Sequence, residues 1–200
     1  MLIPGMPLKI SARGSTDRLP LFQKEKRRIF IPNGLIPVFL PSMETTEFFS
    51  RIREGNLESI SKGLEANPEL LHTKDPRGAT PLIMASYYDH RDVVRLLLSK
   101  GARIDEKDGS GNTALMGVCF KGYEEMAEIL LEAGADVNAR NGMGGTCLIF
   151  AVTFNRENIA KLLITHGAKL DAVDAQGHTA LYHARTQGLR NLVSLLENIS

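Results

Sequence analysis

The sequence predicts an all-α fold: a solenoid of helix–turn–helix units joined by short hairpin loops, about five repeats with the caps included. Three observations predict it. First, a shift of 33 residues aligns Asp75–Lys107, Asp108–Arg140, Asn141–Val173 and Asp174–Ser200 without a gap. Second, that register superposes the same turn chemistry in every copy: Gly78, Gly111, Gly144 and Gly177, then Thr80, Thr113, Thr146 and Thr179, then Leu82, Leu115, Leu148 and Leu181. Third, each unit carries an apolar helix that cannot bury its own face, whereas stacked neighbours form a continuous core.

Each unit reads as turn, helix, helix, turn. In Gly78-Ala79-Thr80-Pro81 the glycine supplies a tight turn and the threonine an N-cap. Proline then occupies the first helical position, where no amide donor is needed. A second helix of roughly Asp92 to Ser99 carries Val93, Val94, Leu96, Leu97 and Leu98. Gly101 follows, where a left-handed terminus is expected. The next units repeat this with Met126, Ile129, Leu130 and Leu131 before Gly134, and Ile159, Leu162, Leu163 and Ile164 before Gly167. Ala85, Ala151 and Ala184 let the helices approach closely.

The segments DPRGATPLIMAS and VVRLLLSKGARID, and DGSGNTALMGVC and MAEILLEAGADVNAR, resemble the ankyrin repeat almost throughout. The resemblance covers about residues 44–200. Its T-P-L-H tetrapeptide is present as TPLI, TALM, TCLI and TALY, so Ile83, Met116, Ile149 and Tyr182 stand where the family carries histidine. The resemblance implies an ankyrin solenoid in which threonine–histidine hydrogen bonding is weakened. Residues 44–74 are a divergent first unit with a one-residue insertion and a polar character, as a terminal repeat requires. In the last unit His183 and Arg185 replace inner residues such as Met84 and Ser86, which predicts an exposed terminal face.

Residues 1–43 differ in composition. They hold six of the nine prolines, seven Lys/Arg and two Asp/Glu, a local net of +5 that leaves −4 for residues 44–200. Prolines at that density block helix and central strand. A disordered tail or mistranslated leader is the favoured reading, since Met43 opens a natural start for the repeats. A docking segment built on Phe22, Ile29, Phe30, Ile31, Val38, Phe39 and Leu40 competes with it. A secretory signal after Lys26-Arg27-Arg28 is disfavoured by the prolines that interrupt the run.

Composition excludes several function classes. Apolar residues at 43% and charged residues at 24% are ordinary for a soluble chain. A net charge of +1 gives no bulk attraction to nucleic acid or membrane. No apolar run can span a bilayer. Cys119 and Cys147 form no C-x-x-C pair, which favours a reducing, cytoplasmic setting and a packing role for both. Of the histidines, His72, His90, His166, His178 and His183, only the last two are close in sequence. Their spacing of five does not share a helix face, so a surface or capping role is expected and no metal. Gly142, Gly144 and Gly145 lack the lysine of a phosphate loop. Glu124, Glu125, Glu128 and Glu132 fall on an outward helix face. No catalytic residue and no cofactor are expected.

The resemblance implies a protein-interaction scaffold, expected as a monomer, whose partner meets the concave side. The matching positions are Arg77, Ala79, Tyr87 and Tyr88; Ser110, Asn112, Phe120 and Lys121; Met143, Gly145, Thr153 and Phe154; and Gln176, His178, Thr186 and Gln187. Exposed aromatics there are favoured as binding hot spots; the alternative is that the rings cover the seams between repeats. A partner with apolar groups beside carboxylates would suit rings flanked by Lys121 and Arg77. A second function class stands beside this one: a secreted effector or regulatory subunit whose N-terminal extension contributes activity or targeting. Arg95, Glu128 and Lys161, spaced by 33, are expected to form a row of alternating charge on the outer helices that helps set register.

Overall fold

The computed structural model describes residues 43–198. The expectations for residues 1–42 lie outside the described residues. Ten α-helices follow in pairs: α1 (Thr45–Glu54) and α2 (Leu57–Ala66), α3 (Pro81–Tyr87) and α4 (Arg91–Ser99), α5 (Ala114–Lys121) and α6 (Glu124–Glu132), α7 (Cys147–Thr153) and α8 (Glu157–Thr165), α9 (Ala180–Thr186) and α10 (Arg190–Glu197). A short 3-10 helix, Pro68–His72, closes the first unit. The all-α repeat fold expected from the 33-residue register is the fold observed.

Local chemistry explains the starts of α3, α5, α7 and α9 and the ends of α4, α6 and α8. Thr80, Thr113, Thr146 and Thr179 are the N-caps of α3, α5, α7 and α9, and each hydroxyl accepts from the amide three residues on. These side chains satisfy donors that the helix itself leaves free. Pro81 takes the first position of α3. Gly101, Gly134 and Gly167 follow the second helices with φ of 89°, 90° and 84°, the left-handed conformation their positions predict.

First helices pack on first helices, α1 on α3 and onward to α9, while second helices form an outer layer in which α2 meets α4 and α6, α8 and α10 are successive neighbours. The core runs through both layers: Phe48, Ile52, Leu82, Leu97, Leu115, Leu130, Leu148, Leu163, Leu192 and Leu196 are all buried. Ala85, Ala151 and Ala184 are fully buried, as close approach of the helices requires.

The hairpins are stitched together along the stack. The amides of Gly109, Gly142 and Ala175 donate to the carbonyls of Arg77, Ser110 and Met143 in the preceding hairpin, at 2.9, 3.0 and 2.8 Å. This approach dictates glycine at the turn: a Cβ on Gly78 or Gly111 would lie 2.7 Å from the Gly109 or Gly142 amide nitrogen, and both positions have φ near 80°.

The expected row of Arg95, Glu128 and Lys161 is only half correct. All three are exposed on the outer helices. Arg95 pairs with Asp92 and Lys161 with Glu157, each within its own helix, so they do not form a bonded row between repeats. Bonds between units arise elsewhere. One turn earlier, Arg91 pairs with Glu125, Asn158 donates to Glu124 and Asn191 to Glu157, all at an offset of 34. On the loops, Lys74 donates to the Lys107 carbonyl, Lys107 to that of Arg140, and Arg140 to that of Val173, each 33 residues on. Carbonyls at fixed loop positions are better partners than side chains four carbons from the backbone, because one half of each bond is already ordered.

Candidate functional site: the surface of hairpin tips and first-helix ends

The ends of α3, α5 and α7 carry Tyr87, Tyr88, Phe120 and Phe154, which remain 37–42% exposed. Helix geometry puts them there: each follows the buried positions of its helix and precedes the turn into the next. Their rings form two groups. Tyr87 and Tyr88 meet edge-to-face at 5.7 Å, and Tyr88 stacks on His90 at 6.2 Å. Phe120 of α5 meets Phe154 across the seam edge-to-face at 4.5 Å, and Phe150 stacks behind it at 6.3 Å. Lys121 joins the first group to the next repeat, with Nζ 4.7 Å from the Tyr87 ring centre and 5.6 Å from that of Tyr123. The rings therefore cover the seams and face solvent at once.

The hairpin positions divide by exposure. Arg77, Ser110, Met143 and Gln176 are exposed. Met143 at 65% is the most exposed of the large apolar side chains described. Arg77 points outward but lies 3.8 Å from Asp75 of its own hairpin. Ala79 is half-buried and Gly145 buried. Asn112 is engaged within the scaffold, accepting from the Asn141 amide at 2.9 Å. Thr153 is half-buried, whereas Thr186 and Gln187 are exposed at the end of α9. Beside Met143, a groove of roughly 290 Å³ opens between the last two hairpins, floored by Ile149, Phe150 and Phe154 and walled by Asp174, Gln176 and His183. It is at the lower limit of small-molecule pockets and matches the size of one or two side chains. Sequence reasoning passed over Phe150, whose position in the repeat alternates between Met84, Gly117 and His183 and so carries no periodic signal.

The last repeat corrects two expectations. His178 is not helical: it sits in the hairpin just before the N-cap of α9, so helix spacing does not govern its relation to His183. The loop folds it back until its ring stacks on Tyr182 at 3.8 Å and stands 5.7 Å from the His183 ring. His183 is half-buried rather than exposed, and its Nε2 donates to Asp174 Oδ2 at 2.8 Å. Arg185 is exposed, as a terminal face requires, and pairs with Glu197. Asp174 Oδ1 accepts from the amides of Gln176 and His178. Burial pushes the Asp174 carboxyl up, but these amides and the His183 ring outweigh it and hold the group down at about 2.

The two cysteines are buried and adjacent in chemistry. Burial pushes the Cys119 thiol well up, and its hydrogen bond with Cys147 adds to the shift. A thiol so placed is a poor nucleophile. Glu124, Glu125, Glu128 and Glu132 are exposed on α6, the solvated face expected of them.

A family model described as ankyrin repeats (3 copies) matches residues 50–141 and again residues 139–199. The chain belongs to the ankyrin-repeat family. Among curated proteins, none matches the chain. Ankyrin repeats are in general protein-interaction modules. Among the described residues, no helix is long and apolar enough to cross a membrane.

Proposed function

We propose that this ankyrin protein is a non-catalytic scaffold, acting in the cytoplasm as a monomer, that holds one protein partner along its hairpin tips and first-helix ends. The observation that carries the reading is the set of half-exposed rings Tyr87, Tyr88, Phe120 and Phe154 beside the exposed Met143. A large ring left partly in water forgoes burial worth about 25 cal/mol per Å², and a partner surface would supply that burial. Lys121 over Tyr87 adds a cation at the edge of the rings. An extended or loop segment with apolar side chains beside carboxylates fits both features: apolar groups against the rings and the groove, carboxylates toward Lys121 and Arg77.

The experiment is affinity capture with the full chain and, in parallel, with the Tyr88→Ala/Phe154→Ala double variant. A protein retained by the first and lost by the second, with both baits equally folded by circular dichroism, supports the reading. A captured protein that binds both equally removes this surface from the account.

A further inference from the structure

We propose that Asp174, His178 and His183 form a binding site for a divalent first-row transition cation, with zinc the fitting test ion, at the terminal repeat. The residues offer two imidazole nitrogens and one carboxylate oxygen, all within 4.8 Å of one another. Imidazole with carboxylate suits zinc, copper, nickel or iron rather than magnesium or calcium, which prefer oxygen alone. Zinc bonds of about 2.0–2.2 Å at the tetrahedral angle set donors about 3.3–3.6 Å apart, so a pair at the 4.8 Å bound must close by up to about 1.5 Å. His183 and Asp174 already lie 2.8 Å apart, so the closure falls on His178.

The site is built rather than scattered. The equivalent positions in the inner repeats carry Asp75, Asp108 and Asn141 for the carboxylate, but Ala79, Asn112 and Gly145 for the first imidazole and Met84, Gly117 and Phe150 for the second. Only the last copy brings all three donors together. The groups behind the donors are in place. Asp174 is oriented through Oδ1 by two backbone amides, which leaves Oδ2 for the cation. His178 is braced by its stack on Tyr182. Supporting contacts of this kind fix ligand orientation and raise affinity. Ligation would replace the present His183–Asp174 hydrogen bond: the ring proton leaves Nε2 and the neutral ring carries it on Nδ1 instead, which frees the Nε2 lone pair for the ion. Neither imidazole is tied up by a helix carbonyl, unlike His90, which bonds the Arg53 carbonyl, and His166, which bonds that of Leu162.

The test uses the tag-free full chain, titrated with Zn²⁺ by calorimetry and with Co²⁺ by visible absorption. Three variants separate the site from background: His178→Ala, Asp174→Asn and, as a control away from the cluster, His166→Ala. Asp174→Asn keeps the hairpin, because Asn141 already makes the same two amide bonds in the preceding repeat. One equivalent of Zn²⁺ is expected, with a cobalt ligand-field spectrum, and the affinity falls by about tenfold or more in His178→Ala and in Asp174→Asn while His166→Ala binds as the parent does. Absence of binding to the parent chain, or equal binding by all three variants, overturns the proposal.

Discussion

Ser86 lies fully buried in α3 with its hydroxyl unpartnered, at a position where the other units carry Cys119, Val152 and Arg185. A buried hydroxyl without a hydrogen bond costs about 1–3 kcal/mol of desolvation. Ser86→Ala removes the cost without leaving a large void and keeps the helix propensity high. It should raise stability by about 0.5–1 kcal/mol, read as a higher urea midpoint; a lower midpoint would mean that the hydroxyl bonds in solution. Asp174 makes an opposite case. Its folded carboxyl sits at about 2, below the unfolded value near 3.9. The stability this difference gives is fully present above the unfolded value and is lost as pH falls through the folded one. Acid titrations at fixed urea should therefore show the parent losing more stability between about pH 5 and pH 2 than Asp174→Asn, in which the group cannot titrate. Parallel curves would contradict that. The residues behind these two predictions differ in how far the sequence disclosed them. Asp174 stands in the aligned register, so its hairpin role is readable. The approach of His178 and His183 was hidden, because it depends on a loop folding back and not on helix periodicity.

At the scale of elements, the caps, the turns and both helices of each inner unit follow from local sequence. Thr80, Thr113, Thr146 and Thr179 mark the starts of α3, α5, α7 and α9, and Gly101, Gly134 and Gly167 follow the ends of α4, α6 and α8. What holds one element to the next was less legible. Charge at a 33-residue spacing pointed to Arg95, Glu128 and Lys161, but their bonds stay within helices, while Lys74, Lys107 and Arg140 reach carbonyls in the following loop. Sequence displays side-chain charges and conceals backbone acceptors, so this ladder gave no pattern to read. The two rows make different predictions. Lys107→Met should cost about 0.5–1.5 kcal/mol, since it removes a bond between two loops. Arg95→Ala should stay within about 0.5 kcal/mol, as exposed pairs usually do. Chemical denaturation of the two single variants checks this, and equal losses would show that the ladder has no special part in register.

For the whole molecule, stacking carries the stability, because each unit completes its core only against its neighbours. The described core runs from Phe48 to Leu196. A chain starting at Met43 is therefore expected to unfold in urea with a midpoint within about 1 kcal/mol of the full chain; a larger loss would show that residues 1–42 contribute to the stack. Stacking also generates the surface. Equivalent helix ends are brought side by side at every step, so residues distant in sequence, such as Tyr88, Phe120 and Phe154, come to share one side. The register made that side legible, while the pairing of Phe120 with Phe154 and the groove beside Met143 depended on side-chain directions that no spacing encodes. The central claim is that these half-exposed rings bind a partner and do not serve only the seams. Its most direct measurement is the affinity of the captured partner for Tyr88→Ala/Phe154→Ala, with the stability of the variant measured alongside. A loss of about 2 kcal/mol or more in binding is expected, with a folded, cooperative stack. A variant that binds its partner as tightly as the parent chain, whatever its melting temperature, would contradict it.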